Sequence, residues 1–153
     1  MGNANNLFDT KFQKLLKELI EIAFGYVNNN DDEVNNVYVI GLIESGYFYK
    51  AFYKIDNIAL KSHQINTISK MQYDISKERS FRMLSLGNEI LKNIENLFLG
   101  DSRAVPSMLK LVYQPKTGKF DSSFSYDKTF SNQKNKTAQD VYEEWFNEIE
   151  KTT

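Results

Sequence analysis

Few side chains in this sequence could make or break bonds, and their spacing limits what they could do. His63 is the only histidine, so any Ser–His–acid triad must be built on it. It lies in the stretch Ile58 to Ile65, with no nucleophile motif nearby. There is no cysteine, which removes disulfides and thiolate nucleophiles. One histidine without cysteine also cannot fill an ordinary zinc site. The glycines of "GNEILKNIENLFLG" stand too far apart for a phosphate-binding loop. Carboxylates remain. The densest run is Asp31, Asp32 and Glu33, inside "NNNDDEVNN". Its spacing is not that of a calcium loop, and a solvated charge run accounts for it. The second group is Asp140, Glu143, Glu144, Glu148 and Glu150, against Lys151 alone. It reads either as a solvated outer face or as a docking surface whose charge steers a basic partner. The residues thus lead us to expect no catalytic, cofactor or metal site, and they offer two acidic surfaces for contact with another protein.

The chain around these residues is ordinary for a globular protein. Its 153 residues fit one domain, 1–153, with residues 1–6 and 152–153 expected to be frayed. Apolar residues make up 41% and charged residues 25%, enough for a core without cross-links. Formal net charge is −1, from 19 basic and 20 acidic side chains. Direct nucleic-acid binding usually needs a basic excess or stripe, and neither is present. "MGNANNLFDT" has no apolar signal region. Asn6 stands where a myristoylation motif wants Ser or Thr. No apolar run approaches the roughly 18 residues of a membrane span, so a cytoplasmic protein is expected. The absence of cysteine fits that compartment.

Hydrophobic periodicity supplies the elements. Phe8, Phe12, Leu15, Leu16, Leu19, Ile22, Ala23 and Tyr26 recur at steps of three and four, predicting a helix over 8–27 capped by Asn6 or Asp9. "VYVIGLI" at 37–43 and "YFYKAFYKI" at 47–55 form a hairpin around "ESG". In its second strand Phe48, Phe52, Lys50 and Lys54 face one way and Tyr47, Tyr49 and Tyr53 the other. The tyrosine row reads as core, since helices need an aromatic face to cover, with an exposed interface as the alternative. A third strand is placed near Ile58 to Ile65 and a long helix over 76–99. Asp74 or Ser76 would cap that helix and Gly100 would end it.

A second hairpin occupies Lys110 to Asp127. Leu109, Leu111 and Tyr113 share one face, "PKTG" turns the chain, and Phe120, Phe124 and Tyr126 line the return strand. Thr137 and Asp140 match a capping box ahead of a closing helix with the stripe Val141, Tyr142, Trp145 and Ile149. The expected fold class is α+β: an antiparallel sheet of four to five strands in two hairpins, packed against three helices in the order α-β-β-(β)-α-β-β-α. The helices are expected to cover one face of the sheet.

"GKFDSSFSYD" after a strand and turn, then a polar loop and a Trp-bearing helix, resembles the YezG-like immunity proteins of bacterial polymorphic toxin systems. The first helix, the "VYVIGLIESGYFYKAFYK" hairpin and the long middle helix fall in the same order, so the resemblance spans nearly the whole chain. It implies a protein that is not an enzyme. Such a protein binds the toxic C-terminal domain of a delivered toxin, often a nuclease, and occludes its active site inside the producing cell. It would act as a monomer in a one-to-one complex, without cofactor, nucleic acid or membrane. Charge clustering, rather than the family, nominates the contact residues: Asp140, Glu143, Glu144 and Glu148, then Asp31, Asp32 and Glu33. A cytoplasmic secretion chaperone that binds an effector segment is the alternative, since such chaperones follow a similar element order.

Overall fold

Alternating side chains and short turns assemble the sheet. Val34–Ile43 (β1) pairs with Tyr47–Ile55 (β2), and β2 with Ile58–Lys61 (β3). On its other side β1 pairs with Met108–Gln114 (β4), which pairs with Lys119–Ser125 (β5). All pairs are antiparallel, in the order β3-β2-β1-β4-β5. Three helices complete the chain: Asn3–Tyr26 (α1), Lys77–Gly100 (α2) and Ala138–Lys151 (α3). The computed structural model describes residues 3–152. The expected α+β architecture is therefore the observed one. Met1, Gly2 and Thr153, from the ends expected to be frayed, lie outside the described residues, while Asn3 to Asn6 are already helical.

Period-two alternation divides the core into two layers. Val37, Val39, Tyr49, Ala51, Tyr53, Leu109 and Leu111 pack against α1 and α2. Tyr38, Ile40, Leu42 and Phe52 pack on the opposite face against Val141, Tyr142, Trp145 and Phe146 of α3. This corrects the expectation that all helices lie on one face. Val37 to Leu42 are all buried, so β1 needs cover on both sides. Trp145 supplies much of it, meeting Phe52 at 5.1 Å and Tyr38 at 5.7 Å between ring centroids.

The tyrosine row is largely core. Tyr49 donates to the Leu19 carbonyl at 2.7 Å and Tyr53 to that of Ala23 at 2.6 Å, so each buried hydroxyl has a partner on α1. Tyr47 is half-buried and donates to Glu95. Gly87 lets α2 approach β2, because a Cβ there would sit 2.2 Å from the Tyr49 ring.

Several boundaries differ from those expected. Asn6 and Asp9 lie inside α1 rather than capping it. The first strand starts at Val34 and absorbs Asn35 and Asn36 through a register shift. The third strand ends at Lys61 and gives way to a 3-10 turn, Ser62–Thr67. Ser76 caps α2 as expected, but Gly100 is still helical. The left-handed residue beyond it is Ser102 (φ 54°), which lets the Arg103 N–H reach the Phe98 carbonyl at 2.9 Å.

Candidate docking site

The loop that carries Asp31, Asp32 and Glu33 forms one wall of a cleft of about 950 Å³ at the end of the sheet. Four residues in the left-handed region shape its surroundings, all Asn or Asp, the types that tolerate it best. Asn28 (φ 56°) and Asn29 (φ 53°) close α1 by donating their N–H groups to Gly25 and Phe24 carbonyls, each at 2.9 Å. Asp56 (φ 54°) and Asn57 (φ 60°) make the two-residue turn between β2 and β3, whose twist this conformation matches. The Asn57 N–H donates to Asn35 Oδ1 at 2.8 Å and ties this turn to the start of β1.

Within the acidic loop the three carboxylates have different roles. Glu33 is half-buried and accepts the Lys70 N–H and, at 2.5 Å, the Tyr73 hydroxyl. Tyr73 also receives Asn30 Nδ2–H at 3.0 Å, and its backbone is held by Asn66 at 2.8 and 2.9 Å. Burial, reinforced by the Glu33 carboxylate, pushes the Tyr73 hydroxyl well above its ordinary pKa. Glu33 thus fastens the 66–73 connection to the start of β1. Asp31 and Asp32 stay exposed on the cleft wall, and Asp56 joins them from the β2–β3 turn. None of these three has an ion-pair partner among the described residues. Ile68 (38% exposed) and Met71 (50%) lie in the same cleft, and Ile58 (42%) follows the Asp56–Asn57 turn. Lys70 and Lys116 supply the positive charge of its walls.

The carboxylates of α3 are mostly engaged within the chain. Asp140 completes the expected capping box: its carboxylate accepts the Thr137 N–H at 2.8 Å, and Thr137 Oγ accepts the Asp140 N–H at 3.2 Å. Glu143 pairs with Lys61 at 2.5 Å and accepts Gln139 Nε2–H at 2.9 Å. The Lys61 contact, opposed by some burial, holds the Glu143 carboxyl below its usual pKa. Glu144 pairs with Lys136 at 3.1 Å. Glu148 is exposed and lines a small hollow with Lys110 and Trp145. The sheet face under α3 is basic: Lys61 lies 5.1 Å from the Phe146 ring centre, Lys110 5.3 Å from that of Trp145 and Lys50 5.8 Å from that of Tyr142. The acidic helix therefore sits on lysines from three strands.

Glu44, in the first hairpin turn, was not singled out by sequence reasoning. Its carboxylate accepts three backbone N–H groups, from Thr129 at 2.7 Å, Ser131 at 2.6 Å and Phe130 at 3.2 Å, and the Thr129 hydroxyl at 3.0 Å. Burial would raise its pKa, but these bonds and one from the Ser131 side chain outweigh that and lower it to about 2. The clamp fixes the loop that delivers α3 to its face of the sheet. Asp56 was also missed, although Asp56 and Asn57, between the apolar Ile55 and Ile58, are of the types that tolerate the positive φ of a tight turn.

The two acidic groups identified in the sequence are not brought together. One surrounds the sheet-end cleft, and the other lies along α3 on one face. His63 is exposed within the 3-10 turn. Among the described residues no group of three or more His, Asp or Glu side chains is placed to hold a metal ion. No described helix is long and apolar enough to cross a membrane. The chain matches no model of a known protein family, and no match is found among curated proteins.

Proposed function

We propose that this chain is an immunity protein that binds a cognate bacterial toxin domain and occludes its active site. The observation that carries the reading is the sheet-end cleft, where Asp31, Asp32 and Asp56 lie unpaired beside exposed Ile68 and Met71. Protein interfaces combine a few apolar anchors with a polar rim, and this cleft presents both. A nuclease site is basic because it holds phosphates. Carboxylates set around an apolar patch can cover such a site and mimic its substrate's charge, with no chemistry by the immunity protein itself. The resemblance of the sequence to the YezG-like proteins points the same way. Contact is assigned first to the cleft, because most α3 carboxylates already have partners within the chain.

The test is co-purification with the small C-terminal domain encoded by the neighbouring upstream reading frame, followed by titration calorimetry and growth rescue. A one-to-one complex is expected. Asp31→Lys combined with Asp32→Lys should weaken it at least about tenfold, roughly 1.4 kcal/mol, and abolish rescue. Unchanged affinity in that variant would reject the cleft as the contact. Absence of any complex or rescue would reject the function.

A further inference from the structure

The two edges of the sheet are not equivalent. At one edge, β3 has only four residues before the chain turns into a 3-10 helix. At the other, β5 runs seven residues, in unbroken register with β4, and no strand of the described residues lies beyond it. Six of its seven residues are exposed. Long, regular edges are templates for pairing with another chain, and proteins usually blunt them with proline, bulges or inward charges. No proline or bulge interrupts Lys119–Ser125, and its one lysine stands at the first position of the strand. The strand's two charges neutralise each other, with Lys119 Nζ 4.0 Å from Asp121 Oδ2.

We propose that two copies of the chain associate through β5, pairing antiparallel about a two-fold axis at Ser122. The sequence of the strand is complementary to itself in this register. Phe120 comes opposite the second copy's Phe124, twice by symmetry, on the face that carries α1. These rings are 36% and 37% exposed in the single chain, and such cross-strand aromatic pairs stabilise sheets. On the other face Lys119 meets Ser125 and Asp121 meets Ser123, so no like charges lie directly opposite. Phe124 already packs on Phe12 of α1 at 5.4 Å, which sets its ring before the second copy arrives. Two short strands make an interface at the small end of the range, so the association is concentration-dependent. It departs from the monomer implied by the family resemblance, and it holds whether or not the sheet-end cleft binds a toxin.

The absence of cysteine makes the test clean, because one introduced cysteine is the only thiol. Directly opposed residues have Cα atoms about 4.5–5.5 Å apart, within disulfide reach. Ser122→Cys should therefore form a covalent dimer under mild oxidation. Lys119→Cys should not, since its own copy lies about 20 Å along the seam. A mixture of Lys119→Cys and Ser125→Cys should cross-link. Ser122 is exposed, so these variants should keep the wild-type circular dichroism spectrum. In sedimentation equilibrium, Ser122→Lys and Ser122→Glu should each weaken wild-type self-association at least tenfold, and their mixture should restore it. A wild-type chain that stays monomeric up to about 1 mM overturns the proposal and leaves the edge to an extended segment of another protein. Cross-linking of Lys119→Cys as efficient as that of Ser122→Cys overturns it too.

Discussion

α3 and the loop ahead of β1 both gather carboxylates, and the fold treats the two groups in opposite ways. The α3 group is placed over lysines that β2, β3 and β4 present from below, and Glu143 and Glu144 find ion-pair partners. The loop group is divided: Glu33 is drawn inward to hold Tyr73 and Lys70, while Asp31 and Asp32 are left on a cleft wall with Asp56. Local charge density therefore does not tell which charges remain for a partner. That depends on which partners the fold brings near: Lys61 of β3 reaches Glu143 from the sheet, while Lys136 reaches Glu144 from the loop ahead of α3.

The contrast can be broken most forcefully at Trp145. Trp145→Ala removes a buried ring that packs on Tyr38 and Phe52. A loss of about 3–5 kcal/mol in urea denaturation is expected, because α3 loses its anchor on the sheet. A loss below about 1 kcal/mol would mean that α3 is not held as described.

Acid should act next, through Glu44. Its folded pKa of about 2 lies below the ordinary glutamate value near 4.3. The clamp's stabilisation is therefore complete above about 4.3 and is lost as pH falls toward 2. The urea midpoint should fall between pH 5 and pH 2.5, and Glu44→Gln should show a smaller fall. Identical acid dependence in the two proteins would refute the clamp.

The smallest effect is expected at Glu143. Glu143→Gln breaks a partly exposed pair with Lys61 and should cost only about 0.2–1 kcal/mol. Partner affinity should not change, in contrast to the reversal at Asp31 and Asp32. If Glu143→Gln weakened the complex as much as that reversal, the division between satisfied and available carboxylates would fail.

Much of the fold is legible from local pattern. Steps of three and four mark α1 and α2, alternation marks β2, and "PKTG" marks a turn in which Gly118 takes φ 76°. The Thr137–Asp140 box is readable residue by residue. The face chosen by α3 is not. Its apolar stripe says that something must be covered, and either face of an aromatic-rich sheet could accept it. One clue was present: the run Val37 to Leu42 is apolar apart from Gly41, as a strand covered on both sides should be. The candidate site is less legible still. Asp31 and Asp32 stand out as a charge run, but Asp56 and Met71 join them only through folding.

Element types, turn chemistry and the need for cover on both sides of β1 are properties of the sequence alone, because each depends on neighbours a few residues away. Tertiary structure decided that Glu33, Glu44 and Glu143 are satisfied, which strand is left at an open edge, and which loops meet at the end of the sheet. These depend on pairings between segments far apart in the chain. Lys61 and Glu143, or Asn35 and Asn57, become partners only once the strands have found their register.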